Sequence, residues 1–199
     1  MLSYILQGLT VGFGAGIQPG PYQAYIVSES LHRGWRKTLI AAFAPLVSDG
    51  PIVAAILLLL TNLPGWFTRA LALAGGGFLL YLAWGAYRSW RDFSPAPPDG
   101  GSGSLLRAAS MNLLSPGPYI FWSTVNGPIL LGAWKQAPAF GLGFVVTFYV
   151  VMIAINAAVI LLTGLAAQSG DRVRRGLLGI SALTLAGFGL FQLWRGIWG

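Results

Sequence analysis

Few residues in this chain are equipped for chemistry, and one of them stands where charge is expensive. Of 199 residues, five are acidic, one is histidine and none is cysteine. That composition excludes thiol–disulfide chemistry and thiolate metal sites, and it leaves a histidine-rich metal centre or a membrane metalloprotease short of ligands. What remains is Asp49, in Ser48-Asp49-Gly50 between Pro45 and Pro51. It is the only acidic residue expected well inside an apolar run. A carboxylate at such a place costs about 2.5–3.5 kcal/mol on insertion scales and is by default a functional-site hypothesis. A group that is costly to charge suits proton coupling. The plainer alternative is a carboxylate capping a helix that restarts near Pro51, and the two roles are compatible.

The second feature is a helix breaker used twice. Gly16-Ile17-Gln18-Pro19-Gly20-Pro21-Tyr22 recurs as Leu114-Ser115-Pro116-Gly117-Pro118-Tyr119, 97 positions later. A proline cannot donate to the carbonyl four residues back. Pro19 and Pro21 therefore free the carbonyls of Ala15 and Ile17, and Pro116 and Pro118 those of Asn112 and Leu114. A helix restarting at Pro21 also leaves its first N–H groups without intrahelical partners. Exposed to lipid, such groups cost several kcal/mol each, so each break must face protein or a polar cavity. A plain packing kink explains one copy. Matched breaks in two halves point instead to a transporter's binding site.

The elements that must position these residues are membrane spans. The chain is 55% hydrophobic and 9% charged, with mean hydropathy +0.69, whereas soluble domains are nearer 25% charged. Six spans are expected at about residues 3–28, 38–62, 66–87, 105–131, 138–165 and 177–198. The first lacks the basic n-region of a cleavable signal peptide, and its core is too long for one. Gly8, Gly12, Gly16 and Gly20 make a stripe that lets another helix approach closely, within the fold or between protomers of a homo-oligomer. Glu29, His32, Arg33, Arg36 and Lys37 read as a short polar loop. Asn156, near the centre of span 5, needs buried partners and serves either as a packing link or as a pathway residue.

Residues 94–104 form a polar, low-complexity linker, expected on the cytoplasmic side, between a first three-helix unit (1–93) and a second (105–199). Leu185-Ala186-Gly187-Phe188-Gly189 of span 6 echoes Leu73-Ala74-Gly75-Gly76-Gly77 of span 3. The net charge of +7 is scattered in short loops, a topology signal rather than a nucleic-acid surface. Nine basic residues follow spans 1, 3 and 5, against Arg69, Lys135 and Arg195 on the other side. The nine are expected in the cytoplasm and both termini outside. Units with an odd number of spans then enter from opposite sides, as inverted repeats. The fold class expected is an all-α integral membrane protein of six helices, with helices 1 and 4 broken.

Gly16-Ile17-Gln18-Pro19-Gly20-Pro21 resembles the G-x-x-P-G-P signature of the LysE/RhtB amino-acid exporters. Ser48-Asp49 is similar to that family's acidic second-helix motif, and Asn112-Leu113-Leu114-Ser115-Pro116 with Phe121 to its fourth-helix N-x-x-N-P motif. The resemblance covers the whole chain. It implies a secondary exporter of amino acids or related small metabolites, driven by H+ or Na+, in the plasma (inner) membrane, with no cofactor and no enzymatic step. By position it carries Gln18, Pro19, Gly20, Pro21, Asp49, Asn112 and Pro116 over as pathway residues. Tyr22, Ser115, Gly117, Pro118 and Asn156 join them from the reading of the breaks and spans. Ser115 and Gly117 stand where many members have an asparagine and a lysine, so an intramembrane cation is missing there.

Freed carbonyls with Asp49 suit a substrate ammonium. N–H groups near Tyr22 to Ala24, or near Tyr119 to Phe121, suit its carboxylate. The same carbonyls and carboxylate also suit an inorganic cation, the competing reading. An intramembrane enzyme or assembly factor is the third, though the spans carry no Ser/His/Asp set, metal cluster or redox pair. Direct ATP coupling finds no phosphate-binding loop.

Overall fold

The structure, a computed structural model, describes residues 1–58, 65–92 and 101–198. Among them there is no strand. The helices are α1 (Leu2–Ile17), α2 (Pro21–Arg33), α3 (Trp35–Thr38), α4 (Ala44–Leu58), α5 (Gly65–Asp92), α6 (Gly101–Leu113), α7 (Pro116–Phe121), α8 (Gly127–Gln136), α9 (Pro138–Ala167) and α10 (Asp171–Trp198). A 3₁₀ turn at Leu39–Phe43 joins α3 to α4, and a π turn at Trp122–Asn126 joins α7 to α8.

Proline sets most of these boundaries. The first apolar run stops at Ile17 and restarts at Pro21, with Gly20 extended between them. The second stops at Leu113 and restarts at Pro116. Pro45 cannot donate to the carbonyl of Ala41, and the hydroxyl of Tyr22 donates to that oxygen instead at 2.8 Å. The π turn has a local cause too. Pro128 has no N–H for the carbonyl of Thr124, and the Gly127 N–H bonds to Trp122 O, one residue further back than in an α-helix. A side chain at Gly127 would put its Cβ 2.5 Å from that carbonyl.

Glycine sets the closest helix contacts. α1 lies along α9. A Cβ at Gly8 would sit 2.7 Å from the Phe144 carbonyl, one at Gly12 2.5 Å from that of Phe148, and one at Gly16 2.7 Å from Ile155. The stripe is thus filled within the fold, apart from Gly20, which meets nothing. α5 and α10 pack together in the same way. Gly76 faces the carbonyl of Gly189 and Gly189 that of Gly76, so the two echoing segments touch each other. α9 buries Phe144, Phe148, Met152, Asn156 and Ile160 on one face and exposes Leu142, Val146 and Val150 on another. Its 30 residues reach about 45 Å, more than the ~30 Å hydrocarbon core of a bilayer.

Three stretches among the described residues are long and apolar enough to cross a membrane: Trp35–Ala54, Pro138–Ala167 and Asp171–Trp198. They fall in expected spans 2, 5 and 6. The end of span 2, including Asn62, and most of the expected linker lie outside the described residues. The linker's last four positions open α6, and Ser104 is buried.

The polar loop expected after span 1 is corrected. α2 continues as a helix to Arg33, and Glu29 is buried. Its carboxylate pairs with Arg33 Nε at 2.8 Å and accepts a hydrogen bond from Ser104 Oγ at 2.6 Å. Ser30 Oγ donates to Ile160 O at 2.8 Å, and Arg174 Nε to Leu31 O at 3.2 Å. Asp49 is therefore not the only acidic residue taken from water. The end of α2 is fastened to α6, α9 and α10.

Candidate functional site

The two breaks face one cavity of about 400 Å³. All twelve residues singled out above line it: the Gln18–Tyr22 segment, Asp49, Asn112, the Ser115–Pro118 segment and Asn156. Residues 97 positions apart in sequence are brought to a common space.

Both breaks satisfy equivalent carbonyls by equivalent means. Gly16 and Leu113, separated by the same 97 positions, are the turns where helical bonding fails. The side-chain amide of Gln23 donates to Gly16 O, and the hydroxyl of Tyr119 donates to Leu113 O at 3.0 Å. In each case the restarting helix reaches back across the gap. Gln23 Nε2 also lies 2.9 Å from Asn156 Oδ1 and donates to it, tying the first break to the middle of α9. Asn156 both lines the cavity and links two helices.

The expected free carbonyl of Asn112 is not free, because the Ser115 N–H bonds to it at 3.3 Å. Neither Gly20 nor Ser115 caps its helix through a side chain. The Ser115 hydroxyl donates instead to Met111 O at 2.9 Å.

Asp49 sits where α4, α6, the π turn and α9 meet, and only 4% of it is exposed. Its Oδ1 accepts from Asn112 Nδ2 at 3.1 Å. Its Oδ2 accepts from Trp122 Nε1 at 3.0 Å and from Tyr149 Oη at 2.9 Å. Asn112 also donates to Ser48 Oγ at 2.8 Å. Three donors converge on a group that, when ionised, only accepts. All three are neutral and all come from the second half of the chain, while Asp49 comes from the first. The π turn is what brings the indole of Trp122 to this point, a use for which such turns recur at functional sites.

Sequence reasoning missed Gln23, Trp122 and Tyr149. A polar residue four positions after Pro19 was a signal for Gln23. Trp122 and Tyr149 carry none, because aromatic residues in a span read as packing. It also missed the cations. Arg69 and Arg195, read only as loop charges, line the cavity, as do Phe188, Phe191 and Gln192 of α10. Asn126, at the end of the π turn, does not line the cavity. It is fully buried, and neither of its amide atoms has a hydrogen-bond partner among the described residues.

Among families of known proteins, the model of the LysE type translocators matches residues 15–196. That range includes both breaks, Asp49 and the α5/α10 wall. No curated protein and no solved structure matches the chain.

Proposed function

Because the chain belongs to the LysE type translocator family, we propose that it exports amino acids or related small metabolites across the inner membrane by secondary active transport coupled to H+ or Na+. The observation that carries this reading is the convergence of two helix breaks and a buried carboxylate on one cavity. Broken helices in corresponding positions of two halves are where transporters place their sites.

The chain's six spans are then two inverted three-helix units, 1–93 and 105–199. The packing supports this. α1 of the first unit lies on α9 of the second, and α4 of the first lies on α6 and α7 of the second, as a two-fold exchange of units requires. The equivalent carbonyls at Gly16 and Leu113, each taken by a side chain of its restarting helix, support it too.

The cradle of Asp49 offers a coupling mechanism. Trp122 Nε1 can only donate. A proton arriving on Oδ2 makes that oxygen a donor and reduces its capacity to accept, so its bonds to the indole and to Tyr149 cannot both persist unchanged. Protonation of Asp49 therefore loosens the joint between α4 and the π turn, and with it the relation of the two units. The twelve cavity residues form the path along which substrate moves when that relation changes. The same cradle disfavours the inorganic-ion reading, since a cation site needs oxygens turned inward and here N–H and O–H groups point at the carboxylate.

The test is efflux and uptake in proteoliposomes, with labelled amino acids and with Na+, K+ and Ca2+, each with and without an imposed pH or Na+ gradient. Gradient-driven movement of one amino-acid class is expected. Movement of the inorganic cations alone would overturn the reading.

A further inference from the structure

Glu29 is a buried carboxylate to which neither the cavity nor Asp49 gives a role. Gln23 is the last residue of α2 that lines the cavity, and Asn112 is the one α6 residue that does. Glu29 follows Gln23 by about six residues, or ~9 Å of helix. That interval is filled with packed side chains: Tyr25, Ile26 and Met111 are buried there with Ala24, Ala41 and Ala108. In the other direction the cavity reaches Arg69 and Arg195, both exposed. The molecule is therefore closed at the end where α2 finishes, which is also the end where α9 finishes, since Trp35 lies against Gly164.

The closure is held by polar bonds that all run from α2 to the second half of the chain. Ser104 of α6 donates to the Glu29 carboxylate at 2.6 Å, and Tyr25 Oη donates to Ser104 O at 3.4 Å. Ser30 Oγ donates to Ile160 O of α9, and Arg174 Nε of α10 to Leu31 O. Arg33 pairs with the same carboxylate from one turn further along α2. An ion pair taken from water adds little net stability where apolar side chains would serve, and its better attested use is to fix one arrangement against another. α2 is also built to move as a unit. It is a helix of 13 residues between two glycines, Gly20 and Gly34, and a Cβ at either meets nothing within 4 Å.

We propose that Glu29 and Ser104 are the latch of a gate, and that α2 is its leaf, swinging about the helix break at Gly20 to open the cavity toward the α2 end. Arg33 is a positioning residue that holds the carboxylate toward Ser104. The latch bonds hold the cavity open only toward the Arg69/Arg195 end, and releasing them shifts the population toward the opposite opening. The gate rests on the transport reading, because only a transporter needs this end to open, but its test measures access and not movement.

Gly117 lines the cavity and is exposed, and a Cβ there meets nothing within 4 Å. Gly117→Cys therefore puts a single reporter thiol into a chain that has no cysteine. An impermeant maleimide is applied to one face at a time in sealed vesicles of the two orientations, with Gln136→Cys and Ser169→Cys marking the faces. The thiol at 117 is expected to react from the Gln136 face and to be protected from the Ser169 face. Adding Ser104→Ala, which cuts the bond to α6 and leaves the Glu29–Arg33 pair, should raise reaction from the Ser169 face by about tenfold and lower it from the Gln136 face. Glu29→Gln should shift both in the same directions. A variant that is merely loosened would react faster from both faces, so the opposite changes are the signature of a gate. Reaction of the parent thiol from the Ser169 face, no change in either variant, or a rise on both faces would each overturn the gate. Opposite changes in a protein that moves no solute would leave the gate standing and remove the exporter reading.

Discussion

A buried carboxylate held by three donors cannot change partners without consequence, and Asp49 is held from three separate elements. Trp122→Phe keeps an aromatic ring but removes the indole N–H together with part of the ring volume. We expect it to cost about 1–3 kcal/mol of stability and to lower gradient-driven flux at saturating substrate by about tenfold, the factor that ~1.4 kcal/mol carries. Thermal unfolding beside proteoliposome flux measures both. Flux equal to wild type would detach the indole from coupling.

His32, at the end of α2, behaves differently. Burial first, and then the charges of Arg174 and Arg33, push its imidazole down to about 4 from an ordinary 6.5. The unfolded chain therefore takes up a proton near pH 6.5 that the native protein refuses until about pH 4. Stability present above pH 6.5 should drain away as pH falls through that window, and His32→Gln should flatten the decline. Melting temperature against pH, compared between the two proteins, decides it. At this scale the sequence was partly legible. Asp49 stood out because charge in an apolar run is costly. Trp122 and Tyr149 did not, because the polar atom of an aromatic residue is visible only once its partner is known.

Among the elements, the helix breaks were legible and the π turn was not. Pro19, Pro21, Pro116 and Pro118 remove N–H groups whatever surrounds them. Pro128 removes one as well, but only the fold decides that the missing bond is absorbed by a wider turn rather than by a kink. Glu29 was misread for a related reason. Basic neighbours made its segment look like a loop, whereas Arg33 one turn later and Ser104 on α6 let the helix carry it inside.

Glycine spacing signalled a close helix contact for α1, the fold shows α9 filling it, and the pair yields a controlled comparison. A Cβ at Gly12 meets the Phe148 carbonyl at 2.5 Å, while one at Gly14 meets nothing within 4 Å. Gly12→Ala should lose about 1–3 kcal/mol by overpacking. Gly14→Ala on the same helix should gain about 0.5–1 kcal/mol from reduced chain entropy. Equal melting temperatures for the two variants would mean that α1 does not lie on α9 as described. Gly34 joins α2 to α3 at φ +83° with open space around its Cα. Gly34→Ala is therefore expected to lose about 1–3 kcal/mol through backbone strain alone, which denaturation of the variant measures.

For the molecule as a whole, membership of the LysE type translocators and the long apolar helices make this a multi-pass membrane protein. Loop charge predicts that the α9–α10 junction faces the cytoplasm and the α8–α9 junction the opposite side. Because the chain has no cysteine, single substitutions at exposed Ser169 and Gln136 report sidedness directly. An impermeant thiol reagent should label Gln136→Cys but not Ser169→Cys in intact cells, and both after lysis. The reverse pattern would invert the topology and the direction of export with it.

The proposed inversion rests in the sequence on two features, an odd number of expected spans per unit and breakers 97 positions apart. The α5/α10 wall was not, because Arg69 and Arg195 near span ends look like any interfacial charge until two helices bring them to one cavity.

The most direct test of the central claim is gradient-driven amino-acid flux in proteoliposomes carrying wild-type protein or Asp49→Asn. The amide keeps the size of the carboxylate but cannot take up and release a proton. The account predicts solute accumulation against its gradient in wild type, and in Asp49→Asn, inserted to the same level, none beyond equilibration. Accumulation by Asp49→Asn at the wild-type rate and extent would contradict it.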